Sequence, residues 1–337
     1  MAGLFVIGGS QCLAVSNGTQ AGTFLLIGSG ARAPAMGEAF TGLADDLTAS
    51  YWNPAGLVQV SSFQASLSYT GWFAGTSYNV VSVGGALFPG HVLAATIYYF
   101  HVPRIANVPE DVEPSVDLSS YALSGSYGFR ITRDLSLGAG IKLMSETIEQ
   151  GDRPDSSSSS AVLDLGFMYK FHDPSVSLGI MLQNMGPKVE FRDAASPAPF
   201  WARLGVAWNA YQDEWLRVAA TMDAAQPVDT GYKLVLPDGG IAEFYRLSLK
   251  HSPQNRFNYG FGTEWWIVDL VALRAGYTLR VGSDISSPSA GAGVRFKADP
   301  FVYQVDYSYS FWGDLSPNVS RVSFTIDLSP LPDEIME

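Results

Sequence analysis

Charged residues at alternate positions of otherwise apolar runs are the first places to look for chemistry in this chain. They are Lys142, Asp164, Lys170, Arg203, Arg217, Asp223, Glu264, Arg274, Arg295 and Asp306. Both signs are mixed, whereas a selective ion path is built from rings of one sign. With a hairpin apex at Asp269, Glu264 and Arg274 fall opposite each other on neighbouring strands. Inward charges are costly unless paired or hydrated. The set is therefore expected to pair, with Glu264, Arg274, Arg295 and Asp306 as an internal charge network that holds shape.

Other chemistries find little footing. Gly28-Ser29-Gly30-Ala31-Arg32 hints at a phosphate loop, but no Gly-Lys-Ser/Thr follows and no βαβ pattern surrounds it. His91, His101, His172 and His251 lack metal-ligand spacing, and no Gly-x-Ser-x-Gly elbow occurs. The serine run at 156–160 reads as a loop tip. A net charge of −12 argues against a nucleic-acid partner. The expectation is a protein that is not an enzyme, with no cofactor, no metal and no catalytic residues.

The elements that position these charges are strands. Leu135, Leu137, Ala139, Ile141 and Leu143 form one face of a run whose other face carries Ser136, Gly138, Gly140 and Lys142. Leu163 to Phe171 and Phe301 to Tyr309 repeat the two-residue period. Charged residues make up only 15% of the chain, below the quarter or so of soluble domains, which fits a surface facing lipid. No apolar run is long enough for a transmembrane helix. Both facts suit strands that alternate between lipid and lumen.

Connection lengths set the strand count. Short turns are expected at 89–90, 132–133, 172–174, 209–213, 268–269 and 298–300. Long connections are expected at 102–118, 147–159, 184–199 and 225–256. Single-chain bacterial barrels have an even number of strands, with short turns on the periplasmic side. About fourteen membrane strands between residues 62 and 328 satisfy both conditions. The fold class is then all-β, a transmembrane antiparallel β-barrel with a short helical N-terminal segment. Trp72, Trp201, Trp208, Trp215, Trp265, Trp266 and Trp312 fall near strand ends, as an interfacial girdle would.

Residues 1–16 look like the apolar core and cleavage end of a signal peptide, ending in Ala14-Val15-Ser16. That segment holds Cys12, the single cysteine. Residues 17–61 lack strand alternation. Within them, Pro34 suits a helix start, and Met36, Ala39, Phe40, Leu43 and Ala44 fall at helical spacing. Asp45 or Asp46 suits the cap of a second short helix, and Asn53-Pro54-Ala55-Gly56 reads as a turn into the first strand. This segment either enters the lumen or caps the barrel's end. Residues 329–337 form an acidic tail.

Residues 30–57, GARAPAMGEAFTGLADDLTASYWNPAGL, resemble the opening signature of the PorV/PorQ family within the FadL-like group of outer-membrane barrels. The run SLGIMLQNMGPKVEF at 177–191, GTEWW at 262–266, ALRAGY at 272–277 and GAGVR at 291–295 resemble later family segments in the same order. The resemblance implies the bacterial outer membrane and its lipid. It also implies that residues 17–61 form a hatch with Pro34, Met36, Phe40, Leu43, Asp45, Asp46, Asn53, Pro54 and Gly56 as its motif. PorV-like members serve type IX secretion, which implies a large translocon and secreted cargo as partners. Within the 225–256 excursion, Tyr232, Leu234, Leu236, Ile241, Phe244 and Tyr245 give an apolar hairpin. It is either an external contact element or a loop folded over the barrel mouth. FadL-like members imply an alternative, passive transport of a fatty acid or other hydrophobic ligand.

Overall fold

A computed structural model of the chain describes residues 22–72, 75–104, 116–150, 153–173, 175–191, 194–235, 241–246, 257–281, 286–312 and 318–328. The expected signal peptide and acidic tail lie outside them. The strands are, in order, β1 (Phe63–Gly71), β2 (Ser77–Phe88), β3 (His91–Val102), β4 (Val116–Arg130), β5 (Leu135–Gln150) and β6 (Arg153–Phe171). Next come β7 (Val176–Met185), β8 (Val189–Phe191), β9 (Ala194–Ser196), β10 (Trp201–Gln212), β11 (Leu216–Pro227), β12 (Asp229–Val235) and β13 (Ile241–Arg246). The last five are β14 (Asn258–Ile267), β15 (Val271–Arg280), β16 (Ser286–Ala298), β17 (Phe301–Ser310) and β18 (Val319–Leu328).

Fourteen of these strands close into one antiparallel barrel, with β18 returning to β1 in a register that sets Phe63 opposite Leu328. Two small hairpins, β8/β9 and β12/β13, stand outside the barrel sheet. The turns after β2, β4, β6, β10, β14 and β16 are short and share one end of the barrel with Phe63 and Leu328. By the rule for such barrels this end is periplasmic.

Burial is inverted relative to a soluble protein. Leu67, Val81, Ile97, Leu123, Leu143, Leu165, Leu204, Leu273 and Val305 are large, apolar and exposed on the outer face. The core lies inside the lumen, where Phe24, Leu25, Met36, Phe40, Leu47, Tyr51, Trp52 and Leu57 pack against inward Tyr78, Val80, Val92, Tyr98, Met144 and Met168. Residues 22–61 thus plug the barrel.

Several expectations need correction. Residues 147–159 are not a long loop: β5 runs to Gln150 and β6 starts at Arg153, with Ile148 opposite Ser156 and Met144 opposite Ser160. The serine run is strand because backbone pairing continues where apolar alternation has stopped. The strand β10 reaches Gln212, so the turn expected at 209–213 begins at Asp213. Trp266 does not join a lipid-facing girdle. It is 1% exposed and turned inward, since in β14 its parity is that of Glu264.

The plug is also less helical than its spacing suggests. It holds two single-turn helices, α1 (Arg32–Ala35) and α2 (Ala49–Trp52), and two 3₁₀ turns, Thr23–Leu26 and Pro54–Gln59. Pro34 is the third residue of α1 rather than its start. Between Met36 and Ala44 the chain turns through positive φ at Gly37, Glu38 and Ala44, which ends any helix there.

Candidate functional site: the plugged lumen

Arg32 is the centre of the plug's attachment. Its Nε and Nη2 donate to Glu264 on β14 at 2.8 and 2.7 Å, a bidentate pair. Its Nη1 donates to Asp45 at 2.6 Å and to Asp46 at 3.0 Å. The guanidinium also lies over the Phe40 ring, 5.1 Å from its centroid. Burial works against this charge, but the Asp45 and Glu264 carboxylates outweigh it and hold Arg32 above the ordinary arginine value.

The wall continues the chain of charges. Arg274, opposite Glu264 in register, donates to it at 2.6 Å and to Asp306 at 2.7 Å. Gln304 donates to Asp306 at 2.8 Å and accepts from Arg295 at 2.7 Å. Arg295 covers the inward ring of Trp266, 4.2 Å from its centroid. All four residues of the expected network are therefore brought together. Glutamine bridges Arg295 to the rest.

Further contacts fasten the plug around its circumference. Asp223 accepts from the Phe40 and Thr41 N–H groups at 3.1 and 2.8 Å. Asn53 caps the 3₁₀ turn by accepting from Ala55 N, while its Nδ2 donates to the Thr41 and Phe167 carbonyls. Pro54 is the first residue of that turn. Gly56 lies so close to Ala44 that a Cβ would collide with its carbonyl. Met36, Phe40 and Leu43 are buried. Asp46 accepts from Thr48 N ahead of α2 without capping the helix itself. Arg203 donates to Gln183 at 3.0 Å and lies over Trp52. Lys142 and Asp164 form a fully buried pair at 2.6 Å beside Asn184.

Arg32 is the functional residue that strand parity misses, because it lies outside every strand. A signal for it exists. It is the only lysine or arginine before Arg104, in a segment that also carries Asp45 and Asp46. Of the expected contact hairpin, Tyr232 and Leu234 fall in β12 and Ile241, Phe244 and Tyr245 in β13. Leu236 lies outside the described residues. The strands Asp229–Val235 and Ile241–Arg246 pair with each other as an antiparallel hairpin.

A closed barrel that is apolar outside and packed inside by its own N-terminal segment defines a plugged outer-membrane β-barrel protein. The chain belongs to the PorV family: the profile described as type IX secretion system protein PorV matches residues 14–230. No curated protein sequence matches it. Similar solved structures include the Ralstonia pickettii toluene transporter TbuX (TM-score 0.59, 12% identity, 90% of this chain and 99% of that one). A Pseudomonas aeruginosa FadL homologue gives a TM-score of 0.60 at 13% identity, over 89% of this chain and 98% of the other. The Pseudomonas putida toluene transporter TodX gives 0.58 at 14%, over 89% and 97%. These likenesses establish the shared barrel fold.

Proposed function

We propose that this chain serves type IX secretion as a non-enzymatic docking barrel, binding the translocon, secreted cargo or both through its external side. The family match supplies the secretion context, and the plugged lumen carries the reading. A barrel whose interior is filled and wired to its wall has its outer rim left for recognition. The β12/β13 hairpin is the natural contact element, because it stands off the barrel sheet on the side away from the short turns. Its sequence supplies Tyr232, Leu234, Leu236, Ile241, Phe244 and Tyr245 as apolar contacts. The Arg32–Glu264–Arg274–Asp306 chain and the Lys142–Asp164 pair are bonded among themselves, which supports a structural use over a catalytic one.

Affinity purification of tagged protein from its native outer membrane tests this. A very large barrel and secreted proteins sharing a C-terminal domain are expected to co-purify. Deleting residues 231–245 is expected to abolish that co-purification while leaving a barrel that still shifts on heating in SDS gels. Full co-purification by the deletion variant would refute the hairpin's role.

A further inference from the structure

Arg321 on β18 is a buried cation that the charge network leaves out. It is 2% exposed, and its only hydrogen bond among the described residues is a long one, from Nη1 to Ser310 Oγ at 3.4 Å. Its Nε has no partner. No carboxylate of the described residues forms an ion pair with it, whereas Arg32, Lys142 and Arg274 each have one. Glu38 on the plug attracts it only from beyond ion-pair distance. A guanidinium taken out of water inside a membrane barrel is expensive unless a counter-charge accompanies it.

The strand register shows what surrounds it. Arg321 stands opposite Ser308 on β17 and Thr70 on β1, and Thr70 stands opposite Tyr78 on β2. The four side chains form one inward row, with the Arg321 and Tyr78 backbones two strand spacings apart, about 10 Å. Ser308, Thr70 and Tyr78 are as deeply buried as Arg321. The Ser308 and Tyr78 hydroxyls, like Arg321 Nε, lack a hydrogen-bond partner. Stacking on Tyr98 holds the Tyr78 ring, and Tyr98 in turn meets Tyr51 of the plug, each at 6.4 Å between centroids. The plug lies directly on the periplasmic side of the row, where Ala31 N donates to Ser323, two residues further along the same face of β18.

Buried polar atoms are nearly always satisfied, so three orphans in one row call for a common partner. Water would satisfy the hydroxyls and leave the charge unanswered, and a metal cation would add to it. An anion accepts from the N–H and from both hydroxyls. A carboxylic acid would bring its chain into a row that is closed to solvent, whereas a spherical ion brings none. We propose that this row binds a small inorganic anion of the halide class, held by the Arg321 guanidinium and the Ser308 and Tyr78 hydroxyls. The ion ties β17, β18 and β2 together beside the plug. This site is independent of the secretion role.

Crystals of the full chain grown in sodium bromide and measured at the bromine absorption edge provide the test. An anomalous peak is expected in contact with Arg321 Nε. A native crystal without a peak there overturns the proposal. The tie between strands has its own readout, the rate at which the folded band is lost in SDS at one elevated temperature. Native protein is expected to unfold about tenfold more slowly in sodium chloride than in sodium gluconate of equal ionic strength, because gluconate is too large to enter. Arg321→Met is expected to unfold equally fast in both salts. Tyr78→Phe keeps the ring stack and the charge, so it gives the same comparison where Arg321→Met does not assemble, with a smaller chloride effect expected. A chloride effect that neither substitution diminishes, or none in the native chain, overturns the tie.

Discussion

At the residue scale, Arg32 joins carboxylates that the chain keeps far apart in sequence, Asp45 and Asp46 on the plug and Glu264 on the wall. Removing it leaves buried Glu264 with Arg274 alone and frees the acidic pair. Arg32→Ala is therefore expected to destabilise the plugged state by about 3–5 kcal/mol, the usual consequence of breaking a buried ion pair from one side. Arg32→Lys is expected to recover only part, because an ammonium cannot hold Glu264 bidentately while reaching Asp45. Limited proteolysis of purified protein checks this: cleavage within residues 22–61 should rise in Arg32→Ala with the strands still protected. The legibility of these residues differs for a physical reason. Glu264 and Arg274 could be paired from sequence, since an antiparallel hairpin fixes which residues face each other once its apex is placed. Arg32 has no such periodic neighbour, and only its isolation as a cation marks it.

At the element scale, the strands were legible wherever one face meets lipid, because the two-residue period then appears as apolar against polar. It fades where β5 and β6 extend beyond that zone. There Ser156 and Ser158 point inward and Ser157 points outward, and both faces are polar although the hydrogen-bonded ladder continues. The plug was illegible for the opposite reason. Its path is set by the wall rather than by i to i−4 hydrogen bonding: Thr278 donates to the Gly37 carbonyl, Ser177 to that of Gly42 and Ser136 to that of Ala55. Inward glycines let the plug backbone approach this closely, as Gly276 does against Met36 and Gly37. Gly276→Val places a branched side chain in that contact and is expected to cost the plugged state about 1–3 kcal/mol. Hydrogen exchange provides the measurement, with protection falling at residues 36–44 and holding in β15 and its neighbours. Unchanged protection would mean that the plug is held from elsewhere.

At the scale of the whole molecule, a fourteen-stranded barrel is too wide for wall side chains alone to fill, since about eight strands already give an interior that side chains just occupy. The plug is therefore expected to decide whether the barrel conducts. Intact protein in planar bilayers is expected to show little ionic current. Deleting residues 22–61 removes Arg32, Asp45 and Asp46 together with the apolar core of the lumen, and is expected to open a steady pore. Because Arg203, Arg274 and Arg295 remain beside Asp164, Asp223, Glu264 and Asp306, that pore should discriminate weakly between cations and anions. Its reversal potential in a KCl gradient should then lie near zero. A deletion variant that stays closed would show that wall side chains and external connections seal the barrel unaided. A strongly selective pore would show that one sign dominates the lumen once the plug has gone. Arg32→Ala, which loosens the same segment without removing it, is expected to fall between the closed and open cases and to flicker.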